Sequence, residues 1–368
     1  ILESPAPGEL GPDLTVVELI EEATRRLRQK SALPSVHKAQ LLLTLGKTYS
    51  ALSLYPEAIA LLEESTELIG TLTEVDSQQR SESSEELIRA YLSAGEFEKA
   101  EARATAYCQQ MVDQYGERSP KALLARAWQA DVLSRQGFSR KSAVILEELV
   151  ALATEVGDAD TLLQVQWDLA SLQLDLNRLK GLLPEFTGYY GETSDEYMNL
   201  LGSCLRVAQI TKQSGADLEQ IVREFLDREL GKGAPDATRV FAVKTWLATL
   251  LWDRGDRDKS HELRREIVED SRRLYGPDHL VTVHQTASYA YGMPRNTPAE
   301  LEESLTLLRD CITRAKRISH PTSDAVLRPT THLVSILFDQ GLDDEALSYC
   351  RDLHREITAV DVSAKVDG

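Results

Sequence analysis

Residues 41–65 read LLLTLGKTYSALSLYPEAIALLEES. Apolar residues return at spacings of three and four on both sides of a short turn, LSLYPEA, which is the period of two amphipathic helices. Leu42, Leu45 and Tyr49 mark the first helix, and Ala58 and Leu62 mark the second. Gly46 and Ala58 are small, so the two backbones can approach closely there, and the large residues fill the remaining gap. A hairpin of this kind buries only part of its apolar face. It needs a neighbour of the same kind to cover the rest.

The neighbours are present. A second hairpin supplies Leu87, Tyr91, Gly95, Phe97 and Ala100, and a late one supplies Leu333, Leu337, Gly341, Ala346 and Cys350. Long turns hold Gly70, Gly116, Gly157, Gly191, Gly233 and Gly276. Three of them share a spelling: QYGERSPKAL from 114, YYGETSDEYM from 189 and LYGPDHLVTV from 274. Short turns alternate with them, among them SAGEFEKA, RQGFSRKS, LDLNRLKG, QSGADLEQ and DRGDRDKS. Strand-like alternation is absent. The pattern predicts about eight hairpins over residues 36–358. Residues 1–13, rich in Pro, Gly and Glu, read as a linker. A helix over 14–30 opens on a capping box, Thr15 with Glu18. Residues 359–368 read as a frayed tail.

The quoted stretch resembles a tetratricopeptide repeat, in which a large residue, Leu-Gly, Tyr, Ala and a large residue follow in that order. The interval of about 42 residues exceeds the ~34 of the short repeats. With LYGPDH between hairpins, it resembles the long subclass found in kinesin light chains and many bacterial proteins. WLATLLWDRGDRDKSHELRREIVEDSRRLYGPDH, from Trp246 to His279, matches that subclass and departs from it at Ser260, where Ala is usual. Ser142, Leu182 and Gln220 stand near the Ala position in the more degenerate middle repeats. The seventh repeat has an unusual short turn, in which Thr297 to Glu300 forms a capping box with Pro298 at the first helical position. The resemblance implies an all-α fold, a right-handed α-solenoid with an extra N-terminal helix. It also implies protein or extended-peptide binding. The segment from Glu3 to Ser65 is similar to the region that follows the transmembrane helix in bacterial serine/threonine kinases ending in such repeats. That likeness implies a sensing or docking tail, extracytoplasmic if the kinase-tail resemblance holds and otherwise cytoplasmic. The alternatives are a self-associating structural solenoid and the sensory tail of a transcription regulator.

Composition bounds the rest. The chain has 368 residues, 42% of them hydrophobic, enough for a long continuous core. Its net charge of −18 repels phosphates and argues against nucleic-acid binding. No run approaches the ~18 apolar residues of a membrane helix. The chain opens on Ile1 and reads as a processed product or an excised segment, with no signal peptide visible. Cys108, Cys204, Cys311 and Cys350 form no CxxC pair and read as small core residues. His261–Glu262 begins like H-E-x-x-H, but Arg265 stands where the second His belongs. His279 and His284 span a turn and share no helix face. His279 belongs to the Gly-Pro-Asp-His turn. Kinase loops, a P-loop and a G-x-S-x-G elbow are absent from the sequence. Acidic pairs such as Glu63–Glu64 are solvated helix faces. No catalytic, cofactor or metal site is expected.

The working surface is then the inner stripe of each first helix, where residues one turn apart face a common groove. Carrying the repeat pattern along the chain places Leu43, Lys47 and Ser50 there, then Arg89 and Arg135. Trp167, Ser171 and Leu174 follow, then Gln209 and Lys212, Thr249 and Trp252, and Ser335 and Phe338. Mixed polar lining with a few aromatics suits an extended peptide or a partner helix. Trp167, Trp252 and Phe338 are the expected anchors.

Overall fold

The computed structural model describes residues 16–29, 34–52, 54–72, 75, 77–213, 215–319 and 323–366. Among the described residues there are seventeen helices and no strand. The chain divides into two compact units, residues 26–218 and residues 219–368, with α1 (Val16–Gln29) up to Arg25 grouped with the second.

The first unit pairs α2 (Ser35–Ala51) with α3 (Tyr55–Thr71) and α4 (Ser77–Ala94) with α5 (Phe97–Tyr115). It continues with α6 (Pro120–Arg135) and α7 (Ser139–Val156), then α8 (Ala159–Leu172) and α9 (Leu176–Tyr190), and α10 (Asp195–Thr211). Consecutive helices pack throughout, and each first helix also meets the next, α2 with α4, α4 with α6, α6 with α8 and α8 with α10. In the second unit α11 (Ala216–Leu230) leads to α12 (Ala237–Asp253) with α13 (Arg257–Tyr275). After these come α14 (Leu280–Gly292) with α15 (Pro298–Ile318) and α16 (Asp324–Asp339) with α17 (Asp343–Val366). There α14 likewise meets α16.

Close approach inside each hairpin follows from small side chains. Ala58, Ala100 and Ala346 have no exposed surface. A Cβ added to Gly46 would stand 2.6 Å from Leu62 Cγ and 3.3 Å from the Ala58 carbonyl oxygen. Ser260 replaces the usual Ala without loss, because its buried hydroxyl donates to the Ala248 carbonyl at 2.6 Å. Ser304 does the same to Ala290 at 2.8 Å. Ser142 is buried too, but its hydroxyl has no partner.

The long turns repeat one conformation. Gly116, Gly191 and Gly276 close α5, α9 and α13 at φ 89°, 91° and 86°. The next helices open on Ser119, Ser194 and His279, whose side chains accept backbone N–H groups. For His279 the acceptor is Nδ1, 3.2 Å from the Val281 nitrogen. The capping box at Thr297 and Glu300 is formed, with Pro298 in the first turn.

Three expectations change or go untouched. α17 runs to Val366, through most of the stretch expected as a frayed tail. Cys108, Cys204 and Cys311 are buried, but Cys350 is exposed. It lies on the last helix, which no further hairpin covers among the described residues. The expected linker 1–13 and the capping residue Thr15 lie outside the described residues.

Candidate protein-binding surface

A recurring hydrogen bond gives the register of the repeats. In every short turn except the one between α14 and α15, a backbone N–H reaches back five residues to the first helix. The pairs are Leu54 to Tyr49, Glu96 to Tyr91, Phe138 to Leu133, Asp175 to Ala170, Gln213 to Ala208, Asp256 to Leu251 and Leu342 to Leu337, at 2.8–3.0 Å. In six of these seven turns the residue just before the donor takes a left-handed conformation. It is Gly95, Gly137, Gly255 and Gly341 in four repeats, but Leu174 (φ 53°) and Lys212 (φ 55°) in two.

Counting back from that residue aligns the first helices. Six residues before it stand Lys47, Arg89, Asp131, Asp168, Arg206, Thr249 and Ser335. Three residues before it stand Leu92, Ser134, Ser171, Gln209, Trp252 and Phe338. Residues three apart share a helix face, so these two rows form the inner stripe. Lys47, Arg89, Gln209, Thr249, Trp252, Ser335 and Phe338 fall on it.

Five candidates fall elsewhere. Lys212 is not on the stripe, because it caps α10 in the left-handed turn. Leu174 takes the same place after α8. Trp167 stands seven before the turn, where Gly46, Ala130 and Ala248 stand in other repeats, and so faces the second helix. Its ring meets Phe186 of α9 edge-on at 6.0 Å, and its Nε1 donates to Ser203 Oγ of α10 at 3.0 Å. Arg135 sits two before the turn, beside the stripe, 3.5 Å from Asp131. Leu43 is buried in the core.

Sequence reasoning missed Asp168 and Arg206. The register slipped because LDLNRLKG has no glycine at its turn, and because Gly215 in QSGADLEQ is not the turn residue. One signal was available. Asp175 caps α9 by accepting from the Arg178 N–H, and an N-cap Asp places the turn just ahead of it.

From α2 to α8 the stripe of the first unit changes from cations to carboxylates, and at Arg206 of α10 it is cationic again. Between α2 and α4 lies a groove of about 680 Å³, lined by Gln40, Leu43, Thr44, Lys47, Thr48, Gln79 and Glu82. Lys47 reaches Glu82 at 2.6 Å, and that hydrogen bond raises the Lys47 pKa. Both side chains are more than 40% exposed, so the pair contributes little stability and can open at little cost. Arg89 stacks its guanidinium 5.4 Å from the Trp128 ring of α6. Behind it, burial raises the pKa of Glu85, which accepts from the Tyr107 hydroxyl at 2.9 Å. Asp131 and Asp168 follow at the same position of consecutive first helices, α6 and α8. Asp168 is open to water but crowded by protein. Desolvation and the Asp131 charge raise its pKa to about 7.

In the second unit the stripe is aromatic. Trp252 lies 6.2 Å from Tyr291 of α14, and Tyr291 stacks on His332 of α16 at 4.3 Å. Phe338 is 44% exposed. Thr249 turns its hydroxyl back to the Thr245 carbonyl at 3.0 Å. Among the described residues no group of His, Cys, Asp and Glu could hold a metal ion, and no helix is long and apolar enough to cross a membrane.

The stretch from Leu247 of α12 through α13 to Leu280, with its glycine turn and its two packed helices, matches the tetratricopeptide repeat family over residues 247–280. The chain carries a tetratricopeptide repeat. Five other hairpins close on the same left-handed turn, at Gly95, Gly137, Leu174, Lys212 and Gly341. The fold resembles the apo form of the quorum sensor NprR from B. thuringiensis, at a TM-score of 0.52 and 10% identity over 93% of each chain. BtubC (BKLC) from P. vanneervenii matches at a TM-score of 0.34 and 14% identity, over 72% of this chain and 92% of that one. The nearly identical TPR-like repeats of a Podosopora anserina protein assigned as a kinesin light chain match at a TM-score of 0.33. There the identity is 16%, over 66% of this chain and 98% of that one. No curated protein matches the chain in sequence.

Proposed function

We propose that the chain is a non-catalytic scaffold that docks an extended peptide segment along the first-helix stripe of residues 26–218. The observation that carries this reading is the groove between α2 and α4, which continues into a row of side chains at one repeat position: Lys47, Arg89, Asp131 and Asp168. These groups are polar, reach solvent and are spent only on pairs that open easily. Main-chain groups of an extended peptide can exchange with them at small cost. The change from cations to carboxylates along the row sets a direction, with the acidic part of a bound segment toward α2 and the basic part toward α8.

Selection of a displayed random peptide library on the intact chain tests this. The expected peptides lose at least about tenfold in affinity when Lys47 and Arg89 are both changed to Glu, and keep it when Arg118, in the turn before α6, is changed to Glu. Peptides indifferent to the first pair of changes overturn the reading.

The finer assignment is that this scaffold is the sensing or docking tail of a bacterial serine/threonine kinase. The likeness of the Glu3–Ser65 segment to such tails supports it. A kinase domain encoded immediately upstream is the expected finding, and a DNA-binding domain there overturns it.

A further inference from the structure

The second unit gathers arginines that its carboxylates do not reach. Arg257, in the first turn of α13, places its guanidinium carbon 3.6 Å from the centroid of the Trp252 ring. Arg264, two turns on along the same helix face, reaches the same ring at 5.9 Å. Gly292 of α14 leaves the room for this: a Cβ there would stand 3.3 Å from Trp252 Cζ3 and 3.7 Å from Arg264 Cδ. Arg295 belongs to the unusual turn after α14. It stacks on Tyr291 at 5.9 Å and is held by donating to the Tyr291 carbonyl at 2.8 Å.

Among the described residues, none of these three arginines makes an ion pair, whereas Arg254, Lys244, Arg309 and Arg314 in the same unit each do. Burial lowers the Arg264 pKa. The field of Asp253 opposes that shift and the charge of Arg257 adds to it. Asp253 is therefore near enough to act through its field but forms no ion pair with either arginine. A desolvated cation without a carboxylate is costly. The aromatic faces recover part of that cost. They also hold the guanidinium planes in fixed orientations, which favours forked hydrogen bonding to an oxyanion.

We infer that Arg257, Arg264 and Arg295 form an oxyanion site at the short-turn edge of α12–α14, which takes a carboxylate or a phosphorylated side chain of a partner peptide. The site lies in the unit that the proposed docking groove does not use, so either can fail without the other.

The test uses the whole chain and three fluorescein-labelled peptides of one Gly-Ser frame, carrying three Glu, three phosphoserines or three Gln. Anisotropy titrations at low and high salt read the affinity. An acidic peptide is expected to bind more tightly than the Gln peptide, with affinity falling as salt rises. Whichever of the two binds more tightly names the source of the oxyanion. Arg257→Gln is expected to weaken that binding at least about tenfold, with an unchanged melting curve because Arg257 is exposed. Arg265→Gln, on the neighbouring exposed position and outside the ring cluster, is expected to leave it intact. Acidic peptides that bind no better than the Gln peptide overturn the proposal. So does equal weakening by Arg257→Gln and Arg265→Gln.

Discussion

The two units use one repeat position for different work. In residues 26–218 the stripe is charged. Lys47 pairs with Glu82 across helices, Arg89 covers Trp128, and Asp131 and Asp168 stand on the consecutive first helices α6 and α8. In residues 219–368 the equivalent stretch is aromatic, with Trp252, Tyr291 and His332 in a chain of ring contacts under three arginines. The backbone turn and the close helix crossing are the same in both. The repeat thus specifies where a side chain stands, and the residue type alone decides whether that place packs, pairs or stays open to a partner. The contrast can be broken at several points.

The largest expected effect tests the shared frame. Gly46→Val puts a branched Cβ against Leu62 and the Ala58 carbonyl, and the carbonyl cannot move without its helix. Overpacking of this kind costs about 3 kcal/mol, read as a lower urea midpoint at constant m. An unchanged midpoint means the helices do not cross where Gly46 places them.

The next contrast lies within one row. Trp252 and Phe338 stand at the same distance from their turns, but Trp252 is packed among Arg257, Tyr291 and Gly292, whereas Phe338 is 44% exposed. Trp252→Ala is expected to cost roughly 2 kcal/mol of stability and Phe338→Ala roughly 0.5 kcal/mol. Equal losses in chemical denaturation would erase the distinction between packing and display.

The charged stripe predicts a pH dependence. The Asp168 pKa of about 7 lies above the unfolded value of ~3.9. Between those values the folded state holds more protons than the unfolded state, so stability falls as pH rises through that window, and the loss is complete above it. Asp168→Asn removes the titration. It is expected to match the parent near pH 4 and exceed it at pH 8, by about 1 kcal/mol or less because the side chain is open to water. Parallel melting curves of the two proteins from pH 4 to 8 would sink the assignment.

The architecture was legible because it rests on repeated apolar spacing and on glycine turns, and both are chemical constraints written in residue type. The Gly-Pro-Asp-His turn, the Thr297 capping box and the alanine crossings belong to this class. The stripe was legible mainly where the turn residue was glycine, although Ser171 and Gln209 were placed without one and Arg135 fell beside the row despite Gly137. Lys47, Arg89, Thr249, Trp252, Ser335 and Phe338 were placed from such turns or from the Gly46 crossing. Trp167 and Lys212 were misplaced, and Asp168 and Arg206 missed, in the two repeats whose turn residues carry side chains. The arginine cluster escaped for another reason. It joins α13 to the end of α14 across a turn of irregular length, and no spacing in the sequence reports that contact.

Those two turns yield the smallest effect and the closest test of the register. A non-glycine residue at positive φ pays about 1–2 kcal/mol for the contact between its Cβ and the carbonyl oxygen. Replacing it by Gly returns that cost, less what Gly adds to the entropy of the unfolded chain, ~0.4–1 kcal/mol. Leu174→Gly and Lys212→Gly are therefore each expected to stabilise by about 0.5–1 kcal/mol. Neither side chain contributes much that could be lost, since both are exposed. The reverse change at the equivalent place, Gly255→Leu, meets no atom within 4 Å but must adopt φ 85°, so its cost is conformational. It is expected to destabilise by about 1 kcal/mol. Thermal and urea midpoints of the three variants decide together. If Leu174→Gly and Lys212→Gly destabilise while Gly255→Leu also does, the six turns are not equivalent, and the stripe through Asp168, Arg206 and Gln209 loses its register.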